Sequence, residues 1–265
     1  MGPALPALSR VFAPERTQGL ARYDFTSHRL HVEADLAAGL PAALDRAQAN
    51  YLINVLRLSV GAELLLFNGR DGEWRARIVE ANKRNCLTEA VAQTRPQTAA
   101  SAIWYCFAPL KAARLDYIVQ KAVEMGAGRI VPMLTRHTQV SRLNVARLRA
   151  NVIEAAEQCG VLNVPETTDE MRLDRLLAAL PAERRVIFCD EDAETTNPLA
   201  ALEAAANAPL AVLIGPEGGF AAEERAMLLA RPGTLRLSLG PRILRADTAG
   251  VAAMALVQAT MGDWR

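Results

Sequence analysis

LAVLIGPEGGF, residues 210–220, is a short apolar run that ends in Gly215-Pro216-Glu217-Gly218-Gly219. Bounded in this way it reads as a buried strand, with a helix expected from Ala221. Glycines remove the Cβ barrier to unusual dihedrals and close approach, and the free N–H groups of a helix start suit an acceptor-rich ligand. Taken alone, the pattern also describes an ordinary tight turn. A second element of the same design follows. TLRLSLGPRILRADTA, residues 234–249, again ends a strand in Gly-Pro, and it sets Arg242 and Arg245 ahead of a helix that Asp247 is expected to cap.

Upstream of these loops the chain alternates. Strand IWYCFAP leads to helix RLDYIVQKAVEMG, where Leu115, Ile118, Val119, Ala122 and Val123 share a face and Gly126 supplies the stop. Strand RIVPML, a helix from about Val145 to Gln158, strand RVIFCD and a helix around Leu199 to Ala206 come next. This alternation predicts an α/β domain over residues 102–265, a mostly parallel sheet covered by helices on both faces, with ligands at the carboxyl ends of its strands.

Before residue 93 the pattern changes to short strands: Arg10 to Ala13, Arg29 to Glu33, Glu63 to Asn68, Glu73 to Glu80 and Cys86 to Ala92. Asn68-Gly69 and Asp71-Gly72 mark a hairpin turn. A helix is expected over ALDRAQANYLINVLRL, with Leu44, Ala47, Tyr51, Leu52, Val55 and Leu56 at helical spacing. Residues 1–93 thus read as a small β-barrel, of a kind that often presents a nucleic-acid-binding face. TRPQTAAS, residues 94–101, is the expected linker.

Composition narrows the classes. The chain has 265 residues, 51% of them apolar, yet no apolar stretch is long enough to span a bilayer. MGPALPALSR lacks the pattern of a secretory signal, so a cytoplasmic setting and no membrane are expected. Four scattered cysteines and three histidines have no ligand-like spacing, so neither metal nor disulfide is expected. Net charge is only +1, but residues 100–155 hold 8 basic against 3 acidic groups. Lys111, Arg114, Lys121, Arg129, Arg136, Arg142, Arg147 and Arg149 form either a phosphate-facing surface or a merely solvated one. No dinucleotide fingerprint, P-loop or nucleophile elbow occurs, which excludes the commonest mononucleotide and hydrolase chemistries.

Five strings together carry a resemblance: NVLRL with an LLLFNG hairpin, LDYIVQKAVEMGAGRIVPM, EAAEQCG with Pro165, IGPEGGF with Glu224, and LGPRILRADTA. Over nearly its whole length the chain resembles the RsmE family of ribosomal RNA methyltransferases, of the SPOUT class. The resemblance implies a PUA-like barrel that holds RNA, a SPOUT domain with a trefoil knot in its last third, and a homodimer, with the apolar helix from Val251 to Met261 either at its interface or in the core. It implies methylation of uridine N3 in 16S RNA of the small ribosomal subunit, with S-adenosyl-L-methionine as methyl donor.

The cofactor would lie against Leu213, Ile214, Gly215, Pro216, Glu217, Gly218, Gly219, Leu239, Gly240, Ile243, Leu244 and Arg245. Arg245 would stabilise the anion developing on uracil, and Glu217 would receive the proton, bind the cofactor or shape the loop. RNA contacts are implied for Arg10, Arg22, Arg57, Lys111, Lys121, Arg136 and Gln158. The chain departs from the family pattern at Val161, where an Arg is usual, at Asn163, where a basic residue is expected nearby, and at Asn50 or Tyr51, Asp247 and Ala221. These departures keep two other readings open: an RNA-binding or ribosome-assembly relative without transfer, and a methyltransferase with a different RNA acceptor.

Overall fold

A computed structural model describes residues 24, 26–82, 85–140, 142–193, 197–203 and 208–264. The expected strand at Arg10 to Ala13, and with it Arg10 and Arg22, lie outside them.

The N-terminal unit is a sheet of β1 (Arg29–His31), β2 (Pro41–Leu44), β3 (Glu63–Phe67), β4 (Glu73–Ala81) and β5 (Cys86–Arg95). Their order is β1-β3-β4-β5-β2, antiparallel except for the parallel β1–β3 pair. Among the described residues β1 and β2 are the edges of this ladder, and the strand expected at Arg10 to Ala13, on which closure into a barrel bears, lies outside them. Its turn is built by Asn68, whose Oδ1 accepts from the N–H groups of Arg70 and Asp71. Gly72 is required by close approach: a Cβ there would lie 2.3 Å from the Arg95 carbonyl oxygen.

The expected helix over 43–58 is corrected. Residues 41–44 are strand β2, and helix α1 (Arg46–Asn50) starts at an Asp45–Gln48 capping box and continues as a π-turn over Tyr51–Val55. The wider π-turn rotates the apolar face away from a 3.6-residue spacing. Ala49 and Leu52 are buried, whereas Ala47, Tyr51 and Val55 face solvent.

The C-terminal unit is a parallel sheet of β6 (Ile103–Phe107), β7 (Arg129–Leu134), β8 (Glu166–Thr167), β9 (Met171–Arg172), β10 (Arg185–Cys189), β11 (Leu210–Ile214) and β12 (Thr234–Leu237). The order is β12-β10-β11-β6-β7-β8, with β9 also on β7. Helices α2 (Ala112–Glu124), α3 (Val145–Cys159), α5 (Pro198–Glu203) and α7 (Ala246–Met261) cover one face, and α4 (Leu173–Ala179) and α6 (Ala222–Ala230) the other. Every residue of β11 is buried, because the strand is central and covered on both sides. Leu210, Val212 and Ile214 enter one core and Ala211 and Leu213 the other.

The two units meet at the end of α3. Arg29 of β1 donates to the carbonyls of Ala156 and Val161 at 2.7 and 3.1 Å, and Arg95 of β5 donates to that of Gly160 at 3.0 Å. These carbonyls lie at and just past the C-terminal end of α3, where that of Ala156 also accepts from the N–H groups of Gly160 and Val161. Strand β5 therefore runs to Arg95, two residues into the stretch read as a linker. Asn163 fastens the remainder, with its Nδ2 on Thr98 and Ala99 and its Oδ1 accepting from Gln97 at 2.7 Å.

Candidate active site

Because β12, β10 and β11 are adjacent and parallel, the loops leaving their carboxyl ends share one side of the sheet. They enclose a cavity of about 730 Å³, within the usual range for small-molecule sites. The glycine loop contributes Ile214, Gly215, Pro216, Glu217 and Gly219, and the loop after β12 contributes Leu239, Gly240, Arg242, Ile243, Leu244 and Arg245. The two Gly-Pro loops thus face one space.

Two expected residues lie elsewhere. Leu213 is fully buried in the core beneath α4 and α6, because its neighbour Ile214 takes the alternate face. Gly218 turns away from the cavity: a Cβ on it would lie 3.3 Å from the His137 Cβ. Gly215 lines the cavity, but its small size serves Phe220, whose ring a Cβ would meet at 2.6 Å. Gly219 and Gly240 hold φ of +69° and +100°, and at Gly240 the Cβ direction is open.

A third loop, after β10, escaped the sequence reading. Asp190, Glu191 and Asp192 line the cavity with Arg225 of α6 and Arg114 of α2. The signal was present as an acidic DED after the apolar strand RVIFC. Buried Asp190 accepts from Arg225 at 2.9 Å and from Arg236 at 2.7 Å, so this loop is tied to α6 and β12. Desolvation pushes the Cys189 thiol up to about 12, which makes it a neutral wall rather than a nucleophile.

Arg114 pairs with Glu217 across the rim, so that carboxylate is engaged by a cation. Arg242 and Arg245 are exposed, with no ion pair among the described residues. Arg245 is the N-cap residue of α7, and Asp247 does not cap that helix as expected: its carboxylate accepts from the Thr248 N–H inside the first turn. It still complements the positive helix end. The rim can thus present two free cations to an acceptor that is, or becomes, negative.

The basic segment divides. Arg114, Lys121, Arg129 and Arg147 have carboxylate partners in Glu217, Glu124, Glu166 and Asp116. Among the described residues no ion pair reaches Lys111, Arg136, Arg142 or Arg149. Arg57, at φ +57°, is exposed on the N-terminal unit. Exposed Gln158 sits on the turn of α3 that abuts β1 and does not line the cavity. Nearby Val161, where the family pattern has Arg, offers its carbonyl to Arg29. No group of three or more His, Cys, Asp or Glu suited to a metal occurs among the described residues, and none of their helices is long and apolar enough to cross a membrane.

Comparison with known proteins agrees with this architecture. Residues 97–258 match the RNA methyltransferase domain and residues 44–91 the RNA methyltransferase PUA domain. Fold and site therefore define an RNA methyltransferase with an N-terminal PUA domain. Ribosomal RNA small subunit methyltransferase E of Rickettsia conorii is 30% identical over 87% of this chain and 95% of its own. The Neisseria gonorrhoeae enzyme of that name, solved with S-adenosyl methionine, superposes with a TM-score of 0.77 at 25% identity, over 90% of this chain and all of its own. A Legionella pneumophila methyltransferase solved with the same cofactor also gives 0.77, at 28% identity over 88% and 97% of the two chains. The chain belongs to the ribosomal RNA small subunit methyltransferase E family.

Proposed function

We propose that this protein methylates N3 of a uridine in 16S RNA of the small ribosomal subunit, with S-adenosyl-L-methionine as donor. The observation that carries the reading is the convergence of both Gly-Pro loops on one cavity at the carboxyl ends of β11 and β12.

The lining suits that cofactor. Ile214, Leu237 and Leu239 give an apolar surface for an adenine, exposed loop backbone offers donors and acceptors, and Glu191 and Asp192 can hold cationic or hydroxyl groups. When bound, the cofactor supplies an electrophilic methyl group. Uridine N3 is a poor nucleophile while it keeps its proton. Arg245, and beside it Arg242, would stabilise charge developing on uracil O2 or O4. Glu217, held by Arg114, would order the rim, and the N3 proton would pass to water as the bond from N3 to the methyl group forms.

RNA would be held by the N-terminal unit, with Arg57, and by Lys111, Arg136, Arg142 and Arg149, whose charges are free for phosphates. Lys121 and Gln158 fit such a role less well. The domain division we propose is the one expected from sequence, with its first boundary moved from 93 to 95 to keep β5 whole: 1–95, 96–101 and 102–265. A trefoil knot of the SPOUT type in the last third of the chain belongs to this family reading, and the step from β11 over β10 to β12 is compatible with it. Ile243, 90% exposed beside the cavity, supports a homodimer whose partner completes the site. The ribosomal substrate implies a cytoplasmic setting. Calorimetric titration with S-adenosylmethionine, against ATP and NAD, tests the cofactor assignment: selective saturable binding is expected, and its absence in folded protein would refute it.

A further inference from the structure

The loop between β7 and α3 touches the glycine loop at two points. His137 Nδ1 lies 3.1 Å from the Gly218 carbonyl oxygen and 3.0 Å from that of Gly219. Both partners only accept, so the ring nitrogen carries hydrogen and donates to both. One residue earlier, the Arg136 N–H donates to Glu224 at 2.8 Å, and the other oxygen of that carboxylate takes the Ala221 N–H at 3.0 Å. Ala221 is the N-cap of α6 and has no side-chain acceptor of its own. Both ends of Gly218–Ala221 are therefore fixed from outside the cavity.

This arrangement leaves little room for a side chain at Gly218 although it does not face the cavity: a Cβ there would crowd His137 at 3.3 Å. The carbonyls His137 holds belong to peptide planes that set Gly219 at φ +69°, and Gly219 does line the cavity. We infer that His137 is a positioning residue for cofactor binding, holding the glycine loop in its binding shape through the Nδ1–H without touching the ligand. The inference rests on the cavity being the cofactor site.

His137 is exposed, so its substitution leaves the core intact. His137→Ala should weaken S-adenosylmethionine binding by calorimetry about tenfold, the scale of one net hydrogen bond. His137→Asn, whose Nδ2 stands near the position of Nδ1, should restore affinity to within about twofold, and His137→Gln should not. In cofactor-free protein, amide hydrogen exchange over 216–221 should quicken in the Ala variant and return to normal in the Asn variant. Equal affinity in all four proteins, or equal weakening in Ala and Asn, would overturn the role. Should the unsubstituted protein fail to bind the cofactor, the cofactor reading falls, and the exchange comparison still decides whether His137 holds the loop.

Discussion

Arg29 and Glu73, 44 residues apart, meet at 2.6 Å with both side chains less than a tenth exposed. Arg95 approaches the same carboxylate at 2.5 Å, and both guanidiniums continue to carbonyls at the end of α3. One buried anion thus sits between two largely buried cations at the junction of the two units.

Removing that anion should be severe. Glu73→Gln leaves two guanidiniums facing each other with only the Glu157 carboxylate beside Arg29 as counter-charge, and breaking a buried pair costs about 3–5 kcal/mol. Urea unfolding should show a loss of that order. A change under about 1 kcal/mol would mean that water screens the junction.

The same carboxylate sets an acid limit. Burial pushes Glu73 upward, but hydrogen bonds from Arg95 and Thr94 and the charges of Arg29 and Arg95 outweigh it, leaving the group below its ordinary 4.5. Its contribution is therefore complete above about pH 4.5 and is lost as pH falls through the lower folded value. Thermal midpoints measured downward from neutral pH should fall more steeply in this acid range for the unsubstituted protein than for Glu73→Gln. Parallel curves would contradict the assignment.

Fully buried Tyr105 has a hydroxyl with no hydrogen-bond partner among the described residues, and it presses on α7, where a Cβ on Gly250 would lie 2.1 Å from it. Tyr105→Phe should therefore be neutral or stabilising by up to about 1 kcal/mol, since an unpaired buried group is lost with little contact. Gly250→Ala should destabilise by about 1–3 kcal/mol through overpacking. Thermal unfolding of the two variants checks both signs.

The alternating unit was legible because β11 and its neighbours are continuous apolar runs and α2 keeps its apolar face in period, ending at Gly126. Less was legible where local geometry broke the period. The π-turn at Tyr51–Val55 rotated the face read from 3.6-residue spacing, and the two-residue β8 and β9 and the seven-residue α4 were too short to show a pattern. In the site, both Gly-Pro loops were visible as strings. The DED string of the Asp190–Asp192 loop was visible too, but not its place in the site, which follows from the strand order that sets β10 beside β11. The direction in which Gly218 faces depends on His137, 81 residues away.

Arg245 gives a test of chemistry apart from binding. Arg245→Ala should lower kcat by about 10²-fold or more, the scale of losing one donor to a developing anion. Its affinity for S-adenosylmethionine should stay within a few-fold. Normal turnover would remove Arg245 from the mechanism, and lost affinity with unchanged kcat would make it a cofactor contact.

The central claim is tested most directly by incubating the protein with small ribosomal subunits and labelled S-adenosylmethionine, then digesting the RNA for nucleoside mass spectrometry. The account predicts labelled N3-methyluridine at one position of the 16S RNA. Label on a ribose hydroxyl or another base, or no label in protein that binds the cofactor, would contradict it.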